Sequence, residues 1–429
     1  MTIAILFISI IVLFLMGMPI AFAIGISSLL ALLSDSSIPL TLITQRMFFG
    51  LNSWLIMAIP LFMLSGELMT TGGMSKRLVD FVTELFGFVR GSLAMVSVVS
   101  SMLFAAISGS AAAGTAAVGS VVLPIMKEKG YDMKFATALL AAAGTVGPVI
   151  PPSIMLIVIG YMTDTSVIHL FIAGIVPGIL IGIGLMVVAY IHARKGGAAY
   201  EPSKEKFSLK RTVKKGAEAL PGLGLPFIIV FGILGGIFTV TEAAVVAVVY
   251  GFVVAKFVYK EIDMADVFRI LFKAAKFATA IMLINATAFL FSWILTVHKL
   301  PVALTGFITS HVGSRIGFFL YLGVIVLVIG MFMETFSATI IFAPLLLPVA
   351  KAYGVHPVHF GMVLMIGWAI GYITPPFGVN LFVSCSITRV TIRQITPYLV
   401  PMEIAMLLVF ALVCFCPQIF MWLPDMVRQ

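Results

Sequence analysis

Residues 144–153 read GTVGPVIPPS. Gly147, three further residues and the pair Pro151-Pro152 interrupt an apolar run that otherwise has the length of a membrane-spanning helix. Proline lacks an N–H and its ring clashes with the preceding turn, so the helix must break there. The same device returns at residues 368–377, WAIGYITPPF, as Gly371, three residues and Pro375-Pro376. The two breaks lie 224 residues apart, and the shift extends beyond them. Thr115/Thr339, Pro124/Pro348, Lys127/Lys351, Gly130/Gly354 and Leu140/Leu364 keep it without a gap, and Gly87/Gly313 follow at 226. A register held over so many positions marks an internal repeat.

The composition sets the class. Of 429 residues, 61% are hydrophobic and 10% charged, where a soluble domain carries about a quarter. Apolar stretches able to cross a bilayer recur along the whole chain, so the expected protein is an all-α polytopic membrane protein. The opening run, residues 2–33, has no basic leader or small-residue cleavage site and reads as mature structure. The net charge of +9 is gathered in a few connections, which suits loops beside an anionic leaflet and not nucleic acid. Cys385, Cys414 and Cys416 lie in or beside apolar segments, with the spacing of neither a metal site nor a disulfide framework.

The one long polar stretch, 194–218, divides the chain into a first repeat, 1–193, and a second, 219–429. Its lysines and arginines place it in the cytoplasm. Residues 76–90 and 127–134 are also basic, so the run 92–124 between them must enter the membrane and return on the same side. It is expected to be a re-entrant hairpin with its tip in SGSAAAGTAAVGS. The equivalent run, 316–348, is flanked by loops poorer in Lys and Arg and is expected to open to the other face. The broken helices are placed at about 135–160 and 358–382. Other crossings are expected at 52–71, 169–193, 219–238, 241–259, 277–297 and 396–422. Inversion requires an odd number per half. That parity splits the opening run at Gly17-Met18-Pro19 and puts both termini in the periplasm; the alternative is one long kinked helix. Residues 73–90 and 256–276 mix basic with apolar residues and read as amphipathic helices at the cytoplasmic surface, or else as solvated loops.

Unwound backbone at membrane depth must face protein or a watery cavity. Carbonyls freed at the two breaks, together with hydroxyls of the hairpin tips, form a donor set suited to sodium. The tips supply Ser108, Ser110 and Thr115 in the first repeat, and Thr335, Ser337 and Thr339 in the second. Where each second arm restarts, free N–H groups and the positive helix end suit an anion. Any one of these hydroxyls has the alternative of bonding a carbonyl in its own helix. Glu334 stands in the second tip where the first has Ser110; it is a candidate for ion or proton coupling or, alternatively, a cap for the tip's own amides. Glu67 and Glu242 read as helix-end structural residues, and Asp164 as part of an external turn. Asn285 and Asn380 either bond across helices or line the cavity. Trp54, Trp293 and Trp422 read as interfacial anchors, and Trp368 as pocket wall or packing.

Several segments together resemble a known family: AIPLFMLSGELMTTGGMSKRLVDFV (58–82), GTAAVGSVVLPIMKEKGYD (114–132), GTVGPVIPPSI (144–154), GGIFTVTEAAVVAVVYG (235–251) and ITPPFGVNLFV (373–383). In this order they are similar to the large membrane subunit, DctM/SiaM type, of tripartite ATP-independent periplasmic (TRAP) transporters, across nearly the whole chain. Glu334 departs from the aspartate of many relatives. The resemblance implies an inner-membrane symporter that imports an organic acid with sodium by an elevator motion of hairpins and broken helices against a scaffold. It implies two partners, a periplasmic substrate-binding protein and a small four-helix membrane subunit, and no cofactor beyond Na+ as coupling ion. Carried onto this chain, one sodium site would comprise Ser108, Ser110, Gly144, Gly147 and Ile150, and the other Gly330, Thr335, Gly371 and Thr374. Substrate binding or coupling would fall to Thr115, Glu334, Ser337, Thr339, Pro151, Pro375 and Asn380. C4-dicarboxylates and sialic acids are the implied substrates, and PPFGVNLFV leans towards a sialic acid.

The alternatives are a proton-coupled carboxylate transporter and a passive anion channel. A channel predicts a continuous polar stripe, which the apolar runs do not provide. An enzyme is disfavoured because the chain has no HExxH and no GxSxG.

Overall fold

The computed structural model describes residues 2–35, 38–202, 208–375 and 378–427. Among them every regular element is helical, and eight helices are long and apolar enough to cross a membrane. A helix satisfies its own backbone, which is what lipid demands of a spanning segment.

The opening run is two helices, α1 (Thr2–Leu15) and α2 (Ile20–Leu33), which pack on each other. The chain reverses through Gly17, whose φ of +76° is open to glycine and costly for other residues. A short α3 (Thr41–Leu51) leads to α4 (Trp54–Thr71) and then to α5 (Met74–Phe86), the first of the two expected amphipathic helices. The first hairpin is α6 (Ser92–Ser108) and α7 (Ala111–Glu128). The first broken helix is α8 (Met133–Gly144) and α9 (Ile154–Thr163), followed by α10 (Val167–Lys195).

The second half begins with α11 (Leu209–Leu234), α12 (Val240–Val253), α13 (Met264–Val297) and α14 (Leu300–His311). Its hairpin is α15 (Arg315–Phe332) and α16 (Thr335–Ala352), and its broken helix is α17 (Pro357–Gly371) and α18 (Val379–Thr388). The chain closes with α19 (Ile392–Phe415) and α20 (Gln418–Met426).

The boundaries differ from expectation in three places. Residues 256–276 do not form a separate surface helix; from Met264 they are the first turns of α13, whose 34 residues span about 51 Å. A reciprocal cap starts that helix: Asp266 N–H donates to Asp263 Oδ1 (2.8 Å) and Asp263 N–H to Asp266 Oδ2 (3.1 Å). The polar stretch 194–218 is helical at both ends, since Lys195 completes α10 and Leu209 opens α11; its residues 203–207 lie outside the described residues. The segment expected at 396–422 divides at Cys416 into α19 and α20.

The repeat is visible in the helix limits. Ala111–Glu128 and Thr335–Ala352 are 18 residues each and start and end 224 residues apart, as do the first residues of α8 and α17. The halves interlock reciprocally: α7 packs on α18, α16 packs on α9, and α10 lies against α19. The second half's broken helix is buried along all of α17 except its first residue, and Trp368 in it is fully buried. Trp368 is therefore packing, whereas Trp54 and Trp422 are exposed on the outer surface.

Candidate functional site

Each hairpin turns in two residues. In the first, α6 ends at Ser108, Gly109 takes φ +59°, and Ser110 caps α7 by accepting from Ala113 N–H (3.4 Å). In the second, α15 ends at Phe332, and Glu334 caps α16 with Oε2 accepting from Phe336 N–H (3.0 Å) and Ser337 N–H (3.2 Å). Glu334 therefore takes the capping role weighed for it, and it does more. Its other oxygen, Oε1, accepts from Tyr372 O–H (3.0 Å), tying the second tip to the second break.

The tips meet the breaks through glycine. A Cβ on Gly109 would stand 3.4 Å from Pro152 O and 3.2 Å from Ile154 N, so the first tip lies against the first break. A Cβ on Gly371 would stand 2.5 Å from Gly330 Cα, so backbone touches backbone at the second. Pro376 and Phe377 of that break lie outside the described residues.

Both tips open on one cavity of about 770 Å³. Ser108, Ser110, Glu334, Thr335 and Ser337 line it, with Pro148 and Tyr372 from the breaks. The opposite wall comes from α2, α4 and α13 and is mostly apolar. A volume of this order holds a small organic acid, and few polar groups on apolar walls is the usual build of such a site.

The other sequence candidates sit behind this surface. Gly144 is pressed against Thr115 Oγ1, and a Cβ there would also stand 3.0 Å from Asn380 Nδ2. Asn380 is fully buried and donates to Ala141 O (3.2 Å), bonding across helices away from the cavity lining. Asn285 likewise donates across helices, to Gly50 O. Thr115 O–H donates to Ala111 O (2.9 Å), the local bond weighed for it, and Thr374 O–H donates in the same way to Ile370 O (2.8 Å). Gly147 N–H donates to Gly144 O (3.2 Å), and the Ile150 side chain packs on Gly178 of α10. Pro151 is buried and Pro375 half-buried. Thr339 Oγ1 and Asn380 Oδ1 are buried with no hydrogen-bond partner among the described residues. Hydroxyl, amide and carbonyl oxygens of this kind are hard donors, which fit an alkali cation and not a transition metal.

Glu242 caps α12 in a reciprocal box with Thr239, and Asp164 ends α9 in the left-handed conformation, both structural roles. Glu67 departs from the role read for it. It lines the cavity and is bonded at 2.8 Å by Lys273 of α13. Lys273 was not singled out from sequence, nor was Glu403, halfway along α19, whose Oε1 is buried with no hydrogen-bond partner among the described residues. An intramembrane carboxylate in a 24-residue apolar helix was the available signal for Glu403.

A family model and the relatives of similar sequence agree on one family. Residues 7–419 match the model described as "Tripartite ATP-independent periplasmic transporter, DctM component". The chain is 40% identical to the C4-dicarboxylate TRAP transporter large permease protein DctM of Pseudomonas aeruginosa, covering 94% of each chain. It is 32% identical to the sialic acid TRAP transporter large permease protein SiaM of Vibrio cholerae, covering 96% of this chain and 95% of the relative. In fold it resembles the crystal structure of the Alcanivorax borkumensis YdaH transporter, with a TM-score of 0.60, 14% identity and 84% of each chain covered.

Proposed function

The chain belongs to the DctM component family of tripartite ATP-independent periplasmic transporters, and from that premise we propose that it imports a small organic-acid anion with sodium by elevator-type alternating access. It is a multi-pass protein of the bacterial inner membrane and not an enzyme. The observation that carries the proposal is the meeting of two hairpin tips and two helix breaks, one of each per repeat, at a single cavity.

The two tips differ in what they offer. In the first, Ser110 caps Ala113, which leaves the N–H groups of Ala111 and Ala112 at the positive end of an 18-residue helix and on the cavity wall. A substrate carboxylate is received there. In the second, Glu334 already fills the equivalent place with its own carboxylate. The second tip thus repels an anion and favours a cation, for which Thr335, Gly371 and Thr374 supply oxygens. Sodium beside Glu334 neutralises the charge that would oppose the substrate, which couples the two ligands.

The substrate is an acid of the C4-dicarboxylate or sialic acid class, as in the names of the relatives. A soluble binding protein delivers it from the periplasm, and a small membrane subunit completes the transporter, as the tripartite family description supports. The middle stretch lies in the cytoplasm and both termini in the periplasm. The hairpins, broken helices, α10 and α19 form the moving part, and α4, α12 and α13 the fixed one.

Proton coupling is the second reading, favoured by the Glu334–Tyr372 bond at the tip. Uptake into proteoliposomes holding the chain with its small subunit and binding protein separates the two. Uptake that follows an imposed sodium gradient supports symport with sodium; uptake that follows a proton gradient and ignores sodium overturns it.

A further inference from the structure

The cavity carries three charged side chains among its lining residues: Glu67, Glu334 and Lys273. Two are acidic and one basic, so the only charge in the lining that attracts a carboxylate is that of Lys273. Lys273 is the one basic side chain there, and its Nζ is held by Glu67 Oε2 at 2.8 Å.

The place of this pair is specific. Glu67 follows Gly66, and a Cβ on Gly66 would stand 3.1 Å from Ser108 Cα, so the pair is one residue from the first tip. On α13, Lys273, Phe277, Ala280, Ile281 and Ile284 share one face at helical spacing and form one wall of the cavity. The ammonium is the polar end of that wall.

The two partners are unequally buried. The Lys273 side chain is 56% exposed, that of Glu67 only 16%. An ammonium has three N–H donors, and an exposed ion pair is weakly held. A second carboxylate therefore reaches Lys273 readily. Glu67, once displaced, is left as a largely buried carboxylate without its cation, a state that is strongly disfavoured. The exchange consequently favours its own reversal.

We propose that Lys273 is the cationic contact for the substrate carboxylate at the first tip, and that Glu67 is a built-in competitor that reclaims Lys273 and expels the anion. The proposal rests on the transport function above and adds a step to it: binding breaks the Glu67–Lys273 pair, and release re-forms it. No covalent bond or proton moves; one carboxylate replaces another on the same ammonium.

The test uses the complete transporter, reconstituted with its small subunit and binding protein, and radiolabelled succinate and N-acetylneuraminate as probes. Lys273→Gln is expected to raise KM for the imported probe roughly tenfold, the loss of one charged hydrogen bond, while Lys273→Arg stays within about threefold of wild type. Glu67→Gln is expected to move the other way, lowering KM and slowing turnover by about threefold or more, because the anion is no longer expelled. The double variant follows Lys273→Gln. A merely structural bridge predicts instead that both single variants raise KM or lower assembly alike; that result overturns the proposal, as does a KM indifferent to both. Should Lys273→Gln fail to assemble, the sign of the Glu67→Gln effect decides: a lower KM supports the exchange, and a raised or unchanged one overturns it. A wild-type transporter that imports none of the probes overturns the transport function itself, a failure distinct from any of these.

Discussion

Glu334 holds in the second hairpin the helix-capping position that Ser110 holds in the first, 224 residues earlier. Both side chains accept from the N–H groups of the helix they begin, but one is neutral and the other a carboxylate. A repeat that makes the same cap twice, once with a charge, has the means to bind unlike ligands at its two tips.

Glu334→Gln keeps an acceptor for the cap and removes the charge. Uptake is expected to fall at least about tenfold at low sodium, with assembly retained, since a charged hydrogen-bonding group contributes more than a neutral one. Initial uptake rates over a sodium series check this, and unchanged kinetics reduce Glu334 to a cap.

Tyr372→Phe removes the O–H that reaches Glu334 Oε1 across 3.0 Å and leaves the ring in place. The expected result is a several-fold rise in the sodium concentration for half-maximal uptake, with little change in melting temperature. A sodium curve identical to wild type contradicts a role for this bond in coupling.

Replacing sodium by potassium or choline is expected to abolish concentrative uptake. Thr335→Ala is expected to weaken the sodium dependence. If it leaves the sodium curve untouched, Thr335 is withdrawn from the cation site.

Gly371→Ala places a methyl group 2.5 Å from Gly330 Cα, and neither backbone has a side chain to swing aside. Overpacking of this kind destabilises by about 1–3 kcal/mol. A lower melting temperature of the purified protein is expected, and an unchanged one shows that α15 and α17 separate without cost.

Asp132, in the loop between α7 and α8, gives a pH dependence. Burial pushes its carboxyl up, but Tyr398 O–H (2.7 Å), Lys134 N–H (2.9 Å) and the Phe135 amide together outweigh that and hold it below the ordinary value. A depressed folded pKa stabilises above the unfolded value, near about 4, and that contribution fades as the pH falls through the folded one. The melting-temperature gap between wild type and Asp132→Asn is therefore expected to be full at neutral pH and to shrink in acid. A gap constant down to acid pH contradicts it.

The repeat and its breaks were legible because their causes are local. Gly109 and the pair Pro151-Pro152 impose their turns whatever surrounds them, and the register at 224 shows in the residues themselves. The capping role of Glu334 was readable for the same reason. The Glu67–Lys273 pair was not, because its members stand 206 residues apart and only packing of α4 against α13 brings them together. The continuity of α13 was hidden by its composition: lysines among aromatic residues suit a surface helix and the protruding end of a long spanning one equally. Residues such as Asn380 and Thr339 were found as polar groups in apolar runs, but whether they face a cavity or a neighbouring helix depends on tertiary contacts.

Gly66 meets the first hairpin at Ser108 with bare backbone. Side chains that interdigitate across a seam resist sliding, because each must leave one hole before it enters the next. A glycine has no tooth to lift. If the hairpin travels along α4, this is where the two bodies run smooth, and Gly66→Leu is then a brake, set against the backbone of Ser108.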